Sequence, residues 1–295
     1  MNEFKTYHPI VNFTYFVLVI GFSCFFLHPV CLGISLTSGF ICSVMLKGKA
    51  QIRKNLLYML PMALMAALFN PAFNHEGVTV LHYLPNGNPL TLESVAYGLC
   101  AALMIAGVIC HFSCYNEVMT SDKFIYLFGK IIPGLSLIFS MTLRFVPRFS
   151  HQLKVVAGAQ KCLGRDVSSG SLIKRAKHGL SILSVMTTWA LENAIETADS
   201  MKARGYGIPG RTAFSIFTFD KRDAKALVCI LLSGIYTLIG GIMGGMSFSF
   251  FPTMKSVEIS PFGASVFLAY FLLCICPIVI EIQEVRRWKA YALKM

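Results

Sequence analysis

The sequence predicts an all-α polytopic membrane protein, with about six transmembrane helices and a cytoplasmic α-helical domain inserted before the last two. Three observations predict it. Of 295 residues, 55% are hydrophobic and only 14% charged, where soluble domains carry about 25% charged residues. Several apolar runs approach the roughly 18 to 20 residues that cross a bilayer core about 30 Å thick. Half of the basic residues, 13 of 26, fall in the single stretch 147–225. The chain therefore divides into N-terminal transmembrane helices (1–115), a cytoplasmic or interfacial domain (116–225), and C-terminal transmembrane helices with a basic tail (226–295).

The first two runs, 10–27 and 29–46, are separated only by His28-Pro29 and read as a tight helical hairpin, because proline restricts its predecessor and interrupts the helix ladder. The first run lacks a charged start and a small-residue cleavage site, so a removable signal peptide is not expected. Further spans are predicted at 55–73, 92–115, 226–247 and 262–280. Basic residues concentrate on the cytoplasmic side. The connection 47–54, "KGKAQIRK", is thus inside, and 74–91, which has no Lys or Arg, is outside. Its "LPNGNP" predicts a short turn-rich loop. Segment 124–143 is apolar but interrupted by Lys130 and Pro133-Gly134. Crossing there would place the basic middle outside, so it is expected to pack within or beside the membrane. The tail, with Arg286, Arg287, Lys289 and Lys294, then also ends inside, so both termini are cytoplasmic.

In the basic middle, 180–203 reads as a helix. Ile182, Val185, Met186 and Trp189 form one stripe, continued by Leu191, Ala194, Ile195, Ala198 and Met201, while Glu192, Glu196 and Asp199 share another face. Gly205, Gly207 and Pro209 end it. A second amphipathic helix is expected at 151–164, stopping at Gly164. Two helices thus finish in small, basic, glycine-marked tips.

Other chemistries are weighed against this frame. The net charge of +12 fits membrane topology better than nucleic acid in so oily a chain. The ten cysteines lie mostly inside apolar runs without a C-x-x-C pair, so they read as buried thiols rather than disulfides or a zinc site. From Gly205 the sequence reads G-x-x-x-x-G-R-T, close to a phosphate loop. That motif needs a preceding strand and a lysine; here a helix precedes, Arg211 replaces lysine, and Pro209 removes an N–H. The three acids read as a solvated or ion-paired face, the scattered histidines as structural, and Pro61 and Pro277 as simple kinks. "GGIMGG", Gly240 to Gly245, permits close helix contact. It serves internal packing or, through Gly240, Gly241, Gly244 and Gly245, a sliding surface for a second membrane subunit.

Five stretches carry a resemblance: "PNGNPLTLES" (85–94), "LRFVPRF" (143–149), "AQKCLGRD" (159–166), "WALENAIETADSMKARGYG" (189–207) and "GRTAFS" (210–215). With these, essentially the whole chain resembles the transmembrane T component (EcfT, CbiQ-related) of energy-coupling factor transporters. The resemblance implies a non-catalytic scaffold in the cell membrane that couples two cytoplasmic ABC-type ATPases to a small, exchangeable substrate-capturing membrane subunit for vitamin or other micronutrient uptake. It implies no directly bound cofactor, ATP being used by the partners. The family's helices end in two X-Arg-X signatures that dock in ATPase grooves. Ala203-Arg204-Gly205 matches the second. At the first stand Cys162-Leu163-Gly164, with leucine where arginine is expected and Arg165 two residues on. Either Arg165 takes the role or that contact is mainly apolar.

Two further classes make different demands. A self-contained secondary transporter needs charged or polar groups at mid-span, and the runs show essentially none. An intramembrane enzyme needs paired catalytic acids or histidines there, and none stands out.

Overall fold

The computed structural model describes residues 3–83, 87–129, 132–206, 208, 217–256 and 260–292. Two compact units emerge: residues 1–123 with 217–295, and residues 124–216. The first and last segments of the chain therefore fold together as one body.

In the first unit, the helices are α1 (Pro9–Phe25), α2 (Pro29–Lys47), α3 (Ala50–Phe73), α4 (Leu92–Val118), α8 (Lys221–Ile242) and α9 (Pro261–Ala292). They stand at the six predicted apolar runs. Five are long and apolar enough to cross a membrane, and α1 is a shorter apolar helix. The protein is thus an all-α, multi-span membrane protein. Most of the helices outrun their apolar stretches. α9 continues from the expected end at 280 to Ala292, and α3 starts five residues early, since charged ends extend a helix without entering lipid.

α1 and α2 begin in the same way. Proline occupies the first turn, and the preceding histidine accepts an N–H through Nδ1: His8 from Ile10 at 3.3 Å, His28 from Val30 at 3.2 Å. Proline tolerates the first turn because its missing N–H would be unsatisfied anyway, and the imidazole caps one of the remaining donors.

The unit's core is a cluster of Phe4, Val11, Tyr15, Phe16, Val19, Phe22, Val266, Tyr270 and Leu273 with their neighbours. The bundle interior is not free of polar groups, contrary to expectation. Ser23 bonds Ser35 (2.6 Å) and Tyr270 (3.1 Å), His111 Nε2 lies 3.1 Å from the Ser35 carbonyl, and Asn55 donates to Ser43 (3.0 Å). These groups are uncharged or hydrogen-bonded to neighbouring helices, which is how polar side chains are tolerated between membrane helices.

One end of this unit carries two small antiparallel hairpins, β1 (Val80–Tyr83) with β2 (Pro89–Thr91), and β3 (Phe248–Ser249) with β4 (Lys255–Ser256). The turn of the first, residues 84–86, lies outside the described residues. At the other end the N-terminal segment forms a clasp. A 3-10 turn (Glu3–Thr6) buries Phe4 against Tyr15 and Phe16. Its flanks reach four helices. Glu3 N donates to Glu281 of α9 (2.8 Å), and Lys5 pairs with Glu117 of α4 (3.0 Å). Arg222 of α8 pairs with Glu3 (3.8 Å) and lies 4.5 Å over the Tyr7 ring. Asp223 accepts from His8 N (3.1 Å), and Lys123 donates to the Lys5 carbonyl. The chain leaves this unit beside Lys123 and returns before Asp223, so one clasp fixes both connections.

The second unit holds most of α5 (Ser121–Gly129), α6 (Pro133–Cys162) and α7 (Leu172–Ala203). Segment 124–143 is divided between α5 and α6 around Pro133. Neither helix is among those long and apolar enough to cross a membrane. The helix expected at 151–164 is the last part of the 30-residue α6, and the one expected at 180–203 starts eight residues earlier. α6 and α7 meet where Phe149 packs on Trp189 (centroids 6.0 Å) and the Arg148 guanidinium lies 5.9 Å from the same ring. The inward face of α7 is Ile182, Met186, Trp189 and Asn193, while Leu191 and Ile195 are exposed. The expected continuation of the stripe therefore does not turn inward, and Val185 within the stripe is itself exposed. Asn193 takes its place, donating to the Trp189 carbonyl at 3.0 Å.

Candidate functional site: two matched helix tips

The C-termini of α6 and α7 adopt the same local structure. In α6 the capping residue is Leu163, Gly164 takes φ +75°, Gly164 N bonds the Lys161 carbonyl (3.0 Å) and Arg165 N bonds the Gln160 carbonyl (2.9 Å). In α7 the capping residue is Arg204, Gly205 takes φ +73°, Gly205 N bonds the Lys202 carbonyl (3.0 Å) and Tyr206 N bonds the Met201 carbonyl (3.1 Å). Both are Schellman caps, in which the left-handed residue lets two N–H groups turn back onto the last free carbonyls. Glycine is needed at each because a Cβ opposes a positive φ.

This equivalence fixes the alignment of the two tips. Leu163 stands where Arg204 stands, and Arg165 stands where Tyr206 stands. Arg165 is two residues beyond the cap, on the returning chain. Cys162, Leu163, Gly164 and Arg165 are all exposed at the first tip, Leu163 at 70%. At the second, Ala203 and Arg204 are exposed and Gly205 is half-buried under Ile208. At 1.5 Å per residue, Leu163 lies about 21 Å along α6 from Phe149, and Arg204 about 22 Å along α7 from Trp189. The two arms beyond the crossing are thus of nearly equal length.

The chain after the first tip folds back on itself. Asp166 accepts from Ser168 N (2.9 Å) and pairs with Lys161 (3.6 Å), and Arg175 donates to the Val167 carbonyl (2.7 Å). The Ser168 hydrogen bonds, aided by Lys161, hold the Asp166 carboxyl below its usual range. After the second tip, Gly207 and residues 209–216 lie outside the described residues, and with them Pro209, Gly210 and Arg211 of the phosphate-loop-like run. The described element leading into that run is a helix, where a phosphate loop follows a strand.

Glu192, Glu196 and Asp199 are exposed along α7. Among the described residues no group of three or more His, Cys, Asp or Glu gathers as metal ligands would. The glycine patch has a double local role. Gly240 faces Val266 and Gly241 faces Phe26, each with no room for a Cβ, and Gly245 packs on Phe262. Gly244, at φ +85°, and Gly245 end α8, with Gly245 N bonding the Gly240 carbonyl (2.9 Å). This third Schellman cap stops the helix at Ile242, five residues before the expected end of the span. Ile242 and Met243 remain exposed beside it.

The chain is similar to "Energy-coupling factor transporter transmembrane protein EcfT" from several bacteria. It is 35% identical to the Lactobacillus helveticus protein over 107 residues, 36% of this chain and 39% of that protein. It is 37% identical to the Brevibacillus brevis protein over 109 residues, 35% and 41% of the two chains. It is 34% identical to the Staphylococcus aureus protein over 106 residues, 36% and 40%. The chain is thus similar to EcfT proteins over about a third of its own length. The matched part spans about 40% of their length, narrower than the whole-chain resemblance carried by the short motifs. No family model matches the chain.

Proposed function

We propose that the chain is the transmembrane scaffold and energy-coupling subunit of an ECF-type ABC importer for vitamin or other micronutrient uptake. Its partners are two ABC-type ATPases and a small substrate-capturing membrane subunit. The observation that carries this reading is the pair of matched tips, Cys162-Leu163-Gly164-Arg165 and Ala203-Arg204-Gly205, on arms of nearly equal length in an EcfT-related chain. Each tip docks on one ATPase. ATP closes the ATPase pair, the tips move with it, and α6 and α7 turn that movement into reorientation of the substrate-capturing subunit. Hydrolysis belongs to the ATPases, so no residue here is assigned a catalytic role.

The basic end of the first unit faces the cytoplasm of the cell membrane, with both termini, following the charge bias of membrane loops. Segment 124–143 lies along the inner face rather than across the bilayer. The exposed Ile242 and Met243 at the end of α8, beside the half-buried Gly244 and Gly245, offer the smooth apolar contact an exchangeable subunit needs, while Gly240 and Gly241 pack internally on Val266 and Phe26.

Retention of co-produced ATPases by the detergent-solubilised chain tests the reading. Removing one member of a buried, hydrogen-bonded charge pair costs about 3–5 kcal/mol, so Arg204→Ala is expected to lose most of the bound ATPase and substrate uptake while melting like wild type. Full retention and full uptake in that variant would exclude docking through Arg204.

A further inference from the structure

The connection from α2 to α3 carries Lys47, Lys49, Arg53 and Lys54, and no Asp or Glu occurs between residues 4 and 75. Elsewhere in this unit basic side chains are matched: Arg222 pairs with Glu3, Lys5 with Glu117 and Arg287 with Glu284. Among the described residues no ion pair includes Lys49, Arg53 or Lys54.

The four cations split into two environments. Lys47 turns inward and donates to Ser113 of α4 (2.9 Å). Gln51 donates to the same oxygen (3.3 Å) and to Asn55 (2.8 Å), and Asn55 donates to Ser43 of α2 (3.0 Å). This ladder fixes the first turns of α3 on its neighbours. Lys49, Arg53 and Lys54 are left exposed on that fixed frame. They crowd the start of a helix whose capping residue, Lys49, makes no side-chain cap and whose first turn has no acid. Cations at that end oppose the helix dipole. An anion there is favoured twice, by the side chains and by the first N–H groups.

The class of anion follows from what lies beyond. Lys49 and Arg53 are one turn apart, and the exposed Leu56, Leu60 and Leu64 continue the same face at helical spacing. In the most apolar stretch of α3 no residue is buried, whereas the other four long spans bury 22% to 39% of theirs. At 1.5 Å per residue the column runs about 16 Å from Arg53 to Leu64, close to the roughly 15 Å depth of one leaflet's hydrocarbon. Cations at the head of an uncovered apolar column one leaflet deep match the two parts of a phospholipid. A soluble phosphate would use only the first part. A zwitterionic lipid brings its own cation to the headgroup and gains less from three uncompensated charges.

We infer that the start of α3 holds an anionic phospholipid, its phosphate between Lys49 and Arg53 with Lys54 alongside, and an acyl chain along Leu56, Leu60 and Leu64. The lipid covers a helix that the rest of the chain leaves bare and anchors the α2–α3 turn at the membrane surface. The inference is independent of ATPase docking.

The test titrates the full chain in detergent with dioleoyl phosphatidylglycerol or dioleoyl phosphatidylcholine and counts bound lipid by native mass spectrometry. Phosphatidylglycerol is expected to bind at least about ten-fold more tightly than phosphatidylcholine; Lys49→Gln with Arg53→Gln should remove that preference, and Lys174→Gln with Lys177→Gln, which takes two exposed cations from α7, should leave it within about two-fold. Glycerophosphoglycerol, the same headgroup without acyl chains, is expected not to displace the lipid. Equal binding of the two lipids by the wild-type chain would reduce the site to ordinary lipid contact and overturn the inference. An equal loss in the α7 variant would show general charge attraction, and displacement by the headgroup alone would show a soluble-phosphate site; either result overturns it too.

Discussion

The two units of the molecule both expose apolar helix faces, α3 in the first among them, but only the first also encloses a large apolar core. In the first, Phe4, Val11, Tyr15, Phe16 and Tyr270 are almost wholly buried, and a clasp of charged side chains seals one end. In the second, α6 leaves Ile138, Phe139, Leu143, Val146 and Val155 exposed, and α7 buries little beyond Ile182, Met186 and Asn193. Its two long helices are joined through one aromatic crossing and stopped by two glycine caps. A bundle that covers its own core is a platform. A pair of helices whose apolar faces find no cover within their own unit depends on cover from outside it. Structural stability thus resides in the first unit, while the second leaves apolar surface uncovered, as the proposed docking requires.

The contrast is broken most sharply by matched truncations. Phe4→Ala empties a fully buried site at the centre of the clasp, and Phe to Ala in a core costs about 3–5 kcal/mol. Phe139 in α6 is 49% exposed, and exposed substitutions change stability by about 0.5 kcal/mol or less. Melting of the purified chain in detergent should therefore fall steeply for Phe4→Ala and hardly move for Phe139→Ala. Comparable losses would mean that the second unit has a core of its own.

A single substitution made in each unit should differ even in sign. An added Cβ at Gly240 meets both Cγ atoms of Val266, whereas at Gly158 in α6 it meets open space. Overpacking costs about 1–3 kcal/mol, so Gly240→Ala should destabilise the chain. Gly158→Ala replaces the residue that a helix interior tolerates worst but for proline, and should gain up to about 1 kcal/mol. A stabilising Gly240→Ala would show that α8 and α9 are not in close contact there.

The six apolar helices were legible because a run of hydrophobic residues is a local signal, and so were the two tips, because Gly164 and Gly205 follow helical periodicity directly. Other features were hidden for physical reasons. The clasp joins Glu3 and Lys5 to Glu117, Arg222 and Glu281, positions hundreds of residues apart that only folding brings together. The polar links among Ser23, Ser35, Tyr270 and His111 rest on small side chains that hardly lower the hydropathy of their runs. His8 and His28 read from sequence only as structural, although each His-Pro pair just before an apolar run marks a capped helix start. By hydropathy Gly244 and Gly245 read as part of a span, although a glycine pair at its end is also a stop. At the tips, sequence left open whether Arg165 replaces the missing arginine. The two hydrogen-bond patterns align Leu163 with Arg204 and leave Arg165 on the returning chain.

The smallest expected effect concerns the clasp, and it depends on pH. Lys123, where the chain leaves the first unit, is buried, and its amine is pushed down to about 8, chiefly by burial and further by the nearby charge of Lys5, with Asp223 opposing. Below pH 8 the amine is charged in both the folded and the unfolded chain, and the folded state carries the full cost of burying it. Between about pH 8 and the ordinary lysine range near 10.5, the folded chain has released the proton and the unfolded chain still holds it, so stability rises with pH across that window. Tyr7 beside it is shifted the other way, burial raising its phenol above 10, so it keeps its proton throughout. Melting temperature in detergent should therefore climb between pH 7.5 and 9.5 in the wild-type chain and climb less in Lys123→Met, which keeps the apolar stem without the titrating amine. Identical slopes would mean that Lys123 reaches solvent and that the clasp is looser at this connection than at Asp223. A flattened slope would mean that the first unit grips the chain as firmly where it leaves as where it returns, as a platform must if forces at the tips are to reach the membrane helices.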